Sequence, residues 1–275
     1  MIIFGVFTME KYQKIYEDLM SEVDEMGIDI FGVASAQEYS EQFSYLPSPE
    51  LFIPNAKSII LIGEIIEPST MRTLLRPELA NSSKLHTQNA SVGSLRDINP
   101  QKYFMIEETE VIKIELTRIG RHITRKLRKL GYNAMNMPLC KRDSITHKAP
   151  FVHAPAVYLA GLGTKGLNGT MITPEFGPRF YINSIITDCP LPTGKPLEKE
   201  LCTECSLCMR ACPLGAIRKD GTLDIAACRE YDTCSTCITV CPIGDVRPFS
   251  PKEVKEWLNS EREIWTLEDK RQSKQ

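Results

Sequence analysis

Apolar side chains recur at helical spacing over residues 9–26, at Tyr12, Ile15, Tyr16, Leu19, Val23 and Met26. That spacing predicts a helix with one buried stripe. Thr8 suits its N-cap and Gly27 the residue just past its end. Ile28–Val33 then reads as a strand, and residues 58–66 (SIILIGEII) as a fully buried one. From Ser69 to Pro100 the pattern is weak and polar, as in loop with short helix. Residues 102–130 predict a long amphipathic helix, with Val111, Ile119, Ile123, Leu127 and Leu130 on one face and Gly131 ending it. Tyr132–Met137 reads as a short strand closed by Pro138, and Ala154–Ala160 as a short helix begun at Pro155. Residues 169–173 and 179–187 read as two further strands. This order predicts an α/β (α+β) domain on a mixed sheet. Pro190, Pro192, Gly194 and Pro196 mark a linker. The expected division is therefore an α/β domain over 1–196, a cysteine-rich domain over 197–248 and a helical tail over 249–275. The tail is charged and amphipathic around Val254, Trp257, Leu258 and Ile264.

Composition adds one anomaly to this picture. The 275 residues are 42% hydrophobic and 25% charged, with a net charge of -2. These values exclude a wholly disordered or fibrous chain and give no global attraction to nucleic acid or anionic membrane. The ten cysteines are unusual because eight of them lie between Cys202 and Cys241. The N-terminal run MIIFGVFTMEK has no basic segment ahead of its apolar residues, and no stretch approaches the roughly 18–20 apolar residues of a membrane helix. A cytoplasmic location is the expectation. There, clustered thiols read as metal ligands rather than disulfides.

The spacing of the cysteines specifies which metal chemistry. Cys202-x2-Cys205-x2-Cys208-x3-Cys212-Pro213 matches a bacterial ferredoxin run, and Cys234-x2-Cys237-x3-Cys241-Pro242 repeats most of it. The segments 205–215 and 234–244 align without a gap at an offset of 29 residues. Three closely spaced thiolates take three corners of one iron–sulfur cube, and the remote fourth reaches the other cube. The expected sets are Cys202, Cys205, Cys208 and Cys241 for one [4Fe–4S] cluster, and Cys212, Cys234, Cys237 and one more for the second. The position matching Cys202 in the second run is Tyr231. Cys228, three residues earlier, is the substitute that completes eight ligands; the alternative is a three-ligand [3Fe–4S] cluster. Two zinc ribbons would accept the C-x2-C pairs but not readily the C-x3-C-P ends. Cys140 and Cys189 read as packed thiols.

Gly161-x-Gly163-x-x-Gly166 is a literal dinucleotide fingerprint, with Asp188 beyond it. The context does not fit, because a Rossmann loop needs a strand before it and a helix after it. The glycines read instead as backbone held close to a large flat ligand, or as a tight turn.

The stretch AGLGTKGLNGTMITPEFGPRFYINSIITDCPLP (160–192), followed by the two-cluster run, resembles the cobalamin-dependent reductase superfamily of epoxyqueuosine reductases and reductive dehalogenases. Residues 27–36, 55–66 and 127–138 resemble the N-terminal half of the same family. The resemblance implies a nitroreductase-like domain holding a base-off cobalamin, followed by a ferredoxin-like domain with two [4Fe–4S] clusters. Electrons would come from a ferredoxin or flavodoxin and pass to cobalt, which reduces a small-molecule or tRNA-borne substrate. The epoxyqueuosine reductases place an Asp 13 residues before AGLG as proton donor; here that position is His147, followed as in the family by Ala149-Pro150. Histidine can deliver a proton near neutrality, although an ordinary surface histidine is the plain alternative. Tyr103 loosely matches a family tyrosine. Gly161, Gly163, Lys165, Gly166 and Asn168 are the expected corrinoid contacts. His153 and His122 read as structural or solvent-facing. The chain ends 34 residues after Cys241, without the helical-repeat extension that holds tRNA in the familiar epoxyqueuosine reductases. It also lacks the export signal of respiratory dehalogenases, so neither substrate follows. The basic run 118–129 reads as a solvated helix face, with a tRNA-contacting face as the alternative. Competing functions are an electron carrier or reductive activator with no corrinoid of its own, and a flavin oxidoreductase fused to a ferredoxin.

Overall fold

The apolar run at residues 58–66 becomes the second strand of a four-stranded sheet. Strands β1 (Ile30–Ser35), β2 (Ser58–Ile65), β3 (Ala134–Asn136) and β6 (Phe180–Thr187) stand in the order β1-β2-β6-β3. The computed structural model describes residues 2–75, 100–139, 149–229 and 234–260. Ile59 to Ile62 are completely buried, as the absence of alternation in this run required. The element order predicted a mixed sheet; among the described residues all three of its ladders are antiparallel. Ser35 pairs with Ser58, so the connection between β1 and β2 leaves and re-enters at one end of the sheet. A connection of that kind reverses the strand and forms no crossover.

By contacts the chain divides into two compact units. The first is 1–65, 111–164 and 180–200; the second is 66–110, 165–179 and 201–275. Segment 165–179, placed by its position before the proline-rich linker in the expected N-terminal domain, groups with the cysteine-rich segment.

In the first unit, helix α1 (Ile2–Glu25) buries Ile15, Leu19 and Val23, three members of the predicted stripe. The long helix forms as α4 (Pro100–Lys129). It buries Ile112, Leu116, Ile119, Ile123 and Leu127, whereas Val111 and Leu130, expected on that face, are exposed. Gly120 lets this helix approach the sheet, because a Cβ there would run into the Asn136 side chain. The Asn183 side chain in β6 closes the contact, donating to Asn136 Oδ1 at 2.7 Å and to the Leu116 carbonyl at 3.2 Å. Part of the basic run is answered within the unit. Lys126 and His122 meet Glu22 at 2.6 and 2.9 Å, and Arg118 meets Glu115 at 2.7 Å. Helices α2 (Ala36–Gln42) and α5 (His153–Leu159) bring Tyr39 against Phe151, rings stacked with centroids 5.1 Å apart. His153 shares a 2.8 Å hydrogen bond with Ser184 Oγ, and burial pushes its pKa down to about 4. Cys189 is buried, a packed thiol as expected. Cys140 lies outside the described residues.

The second unit holds α3 (Pro68–Arg72) and four short helices, α6 (Leu207–Ala211), α7 (Ile225–Arg229), α8 (Thr236–Thr239) and α9 (Pro251–Ser260). Its apolar core is Leu207, Ala211, Val240, Val254 and Leu258, with Phe249 and Trp257 packed on it. Ala211 and Val240 are equivalent positions of the 29-residue repeat, so the two halves meet at like residues. The tail helix α9 supplies Val254 and Leu258 to this core. The strand expected over 169–173 shortens to β5 (Met171–Ile172), which forms a ribbon with β4 (Thr164–Lys165). Among the described residues no helix is long and apolar enough to cross a membrane.

Candidate iron–sulfur centre

The cysteine repeat is a structural repeat as well. Ser206 and Ser235, between the cysteines of Cys205-x2-Cys208 and Cys234-x2-Cys237, both take left-handed backbone angles (φ 62 and 52), and each leads into a short helix. That conformation costs a residue other than glycine roughly 1–2 kcal/mol. Its recurrence at equivalent positions shows that the same tight turn is enforced twice. Gly215 and Gly244, also equivalent, end the two segments at positive φ. The turn brings thiols three residues apart to one side of the chain.

The four cysteines of the first expected set lie at one place. Cys202, Cys205, Cys208 and Cys241 line one small cavity, partly open to solvent, together with Leu167, Asn168, Ile172 and Ile243. Three of these cysteines come from the first run and Cys241 from the second, the cross-over that the spacing predicted. Burial pushes the Cys208 thiol up to about 11, with Cys241, Cys205 and Cys202 adding to the shift. Burial also raises Cys241, which Arg179 opposes. Four thiolates at one place would repel one another unless a cation offset their charge.

Cys237 feels sulfurs of both expected sets. Burial raises this thiol strongly, and the sulfurs that add to the effect are Cys234, Cys208, Cys228 and Cys212. Cys228 therefore stands in the electrostatic neighbourhood of Cys237, on α7, whose first turn is held by Asp224 Oδ1 accepting from the Ala227 N–H at 3.0 Å. Tyr231 lies outside the described residues. Among the described residues no three His, Cys, Asp or Glu side chains gather closely enough to hold a single metal ion. Backbone N–H groups already point at sulfur, Leu167 N to Cys202 Sγ at 3.4 Å and Ala216 N to Cys212 Sγ at 3.3 Å. Donors of this kind stabilise thiolate and cluster sulfur. The residues present fit the clusters.

The glycine loop is explained largely by the chain's own packing. A Cβ on Gly161 (φ +72) would run into the Lys195 carbonyl, and one on Gly194 into the Ala160 carbonyl. A Cβ on Gly166 would meet Ile172 Cδ1 at 2.6 Å and Asn168 Oδ1 at 2.7 Å. Gly163 is buried and the Lys165 side chain is exposed. Asn168 is buried in the cavity wall of the first cysteine set. His147 lies outside the described residues. Tyr103 falls in the first turn of α4, and its side chain is likewise outside them.

Sequence reasoning missed Arg179. It is 2% exposed, and its guanidinium donates to four backbone carbonyls of the cysteine-rich segment. These are Val246 from Nε (3.0 Å), Cys241 (2.9 Å) and Ile238 (3.4 Å) from Nη1, and Ile243 from Nη2 (2.5 Å). Burial lowers its pKa to about 10, so the group remains a cation at neutral pH. Gly177 (φ +59) makes room for this contact, since a Cβ there would run into the Ile243 carbonyl. The available signal was a cation at the head of a buried strand, in Gly177-Pro178-Arg179, where a charge needs acceptors.

Residues 196–218 match the model of the 4Fe–4S binding domain. Over 238 residues the chain is 27% identical to the epoxyqueuosine reductase of Bacillus cereus, spanning 79% of this chain and 56% of that protein. The enzyme of Escherichia coli is 38% identical over 85 residues, 31% of this chain. The chain thus spans just over half the length of the Bacillus relative. In fold it resembles an epoxyqueuosine reductase solved with an epoxyqueuosine-modified tRNA stem loop (TM-score 0.54, 18% identity, 91% of this chain and 70% of that one). It also resembles a reductive dehalogenase for which a B12-dependent mechanism was suggested (TM-score 0.56, 18% identity, 89% of this chain and 34% of that one). The likeness to these two structures is one of fold. The chain carries a match to a 4Fe–4S binding domain and is similar to epoxyqueuosine reductases in sequence, with an α/β part on an antiparallel sheet.

Proposed function

We propose that the protein is an oxidoreductase that moves electrons through two [4Fe–4S] clusters to a base-off cobalamin, which reduces an organic substrate. The observation that carries this reading is the cavity lined by Cys202, Cys205, Cys208 and Cys241, four thiols drawn from both halves of the repeat. Cys212, Cys228, Cys234 and Cys237 hold the second cluster. Leu167 N and Ala216 N stabilise ligand sulfurs of the two sets. A bound corrinoid would supply a low-valent cobalt able to accept single electrons and pass them to carbon. The chain's part in that step is to hold the corrin along the loop Gly161, Gly163, Lys165 and Gly166. His147, with Tyr103, holds the proton that the reduced substrate takes up. The electron donor is a low-potential ferredoxin or flavodoxin, and the substrate is a small molecule or a group borne on tRNA. Support for the corrinoid comes from the fold shared with the B12-dependent dehalogenase.

Anaerobic purification followed by addition of cobalamin tests the reading. The expected result is about eight iron atoms per chain, a broad absorption that bleaches on reduction, and retention of base-off cobalamin. A protein with full iron that ignores cobalamin would refute the corrinoid and leave an electron carrier or reductive activator. Retained flavin would point to a flavin oxidoreductase instead.

A further inference from the structure

We propose that Asn168 donates a hydrogen bond from Nδ2 to a sulfur of the cluster held by Cys202, Cys205, Cys208 and Cys241, and so raises the reduction potential of that cluster. The inference rests on the reading that these four cysteines hold a [4Fe–4S] cluster.

Three observations lead to it. Asn168 is 4% exposed and lines the cavity of the four cysteines. Its Nδ2 has no hydrogen-bond partner, in contrast to nearly every other buried polar side-chain atom among the described residues. Its Oδ1 is occupied, accepting from Thr170 Oγ1 at 2.9 Å and from the Thr170 backbone N–H at 3.3 Å.

The last point fixes which way the amide faces. A backbone N–H must meet an oxygen, so the amide cannot be turned end for end without setting donor against donor. The orphaned group is therefore the NH2. Turn geometry holds it there: the Gly166 N–H donates to the Thr170 carbonyl at 2.8 Å and the Gly169 N–H to the Gly166 carbonyl at 2.9 Å. Gly166 is needed because its Cβ would press on Asn168 Oδ1.

A buried amide NH2 without an acceptor is costly, and its natural acceptor in a wall of thiols is sulfur. Leu167, one residue earlier, already directs its N–H at Cys202 Sγ. Two consecutive residues of the loop thus present donors to one sulfur-lined space. Reduction adds one negative charge to a cluster. A donor aimed at its sulfur stabilises the reduced form more than the oxidised form, which moves the potential upward.

Redox titration of the anaerobic full-length protein, followed by electron paramagnetic resonance, tests this. Asn168→Leu, close in size but without a donor, is expected to keep the full iron content. It should shift one of the two cluster midpoints to more negative potential and leave the other in place. Asn168→Asp should shift the same midpoint further, because it adds a negative charge. Full iron with both midpoints unchanged in Asn168→Leu would overturn the proposal. Should the substitutions release iron, the parent protein decides. With asparagine labelled with heavy nitrogen, pulsed resonance on the reduced cluster should detect a side-chain nitrogen coupling, and its absence would overturn the proposal. A parent protein that binds no iron cluster would instead remove the cluster reading itself, a distinguishable outcome.

Discussion

Replacing Arg179 by methionine keeps most of the side chain's apolar stem and removes the donors that tie together the segment following Cys237. The Cys241, Ile243 and Val246 carbonyls each accept from the guanidinium at 3.0 Å or less, and Ile238 accepts at 3.4 Å. Hydrogen bonds from charged groups contribute about 1.5–3 kcal/mol each, and a stranded buried acceptor costs about 1–3 kcal/mol. Against this stands the desolvation of the charge, already visible in the drop of the Arg179 pKa to about 10. Loss of the longest bond matters least. A net destabilisation of about 3–5 kcal/mol follows from three short charge-assisted bonds lost, less the desolvation regained. The assay is anaerobic guanidinium unfolding of the iron-loaded protein, read by loss of cluster absorbance. The iron-release midpoint of Arg179→Met should fall clearly below that of the parent, with Arg179→Lys between the two because a single ammonium cannot reach all four carbonyls. An Arg179→Met midpoint within about 0.5 kcal/mol of the parent would refute the reasoning, since changes that small are typical of surface positions.

Cys228→Ala should lower the iron content by one atom, leaving a three-iron cluster, or by one whole cluster. Full iron with an unaltered paramagnetic signal would assign the eighth ligand elsewhere. His147→Ala should leave both clusters spectroscopically intact and slow turnover, and an unchanged rate would remove His147 from proton delivery. His153 has its pKa lowered to about 4 from 6.5. The unfolded chain therefore binds the extra proton first, and stability should rise with pH between about 4 and 6.5 and level off above. Up to about 3 kcal/mol depends on this group. Unfolding measured across that range should show a shallower limb in His153→Gln, and an unchanged limb would mean that other groups carry it.

Much of the secondary structure was legible because burial leaves a periodic trace. The helix expected over 102–130 forms over Pro100–Lys129, and the strands expected over 58–66 and 179–187 form over Ser58–Ile65 and Phe180–Thr187. Periodicity did not fix how far a face extends. Val111 and Leu130 fit the apolar stripe of α4 yet are exposed, because a stripe's edge depends on what packs beside it. Strand direction was not legible either. A connection that returns to the same end of the sheet and one that crosses over carry similar local signals, and the pairing of Ser35 with Ser58 decided between them.

The cysteines were the most informative residues, for a chemical reason. Thiolates that share a cube must follow one another at fixed short spacings, so ligand sets are encoded locally except for the remote fourth member. Sequence alone determined the two runs and their repeat, and led to the expectation that Cys241 joins the first set. Only the tertiary structure placed segment 165–179 with the cysteine-rich unit, and with it Arg179 on four carbonyls and Asn168 in the cavity wall. The residues these two side chains contact or face lie, for the most part, dozens of positions away in the chain. Such contacts leave no period and no spacing in the sequence, because they arise where distant segments meet.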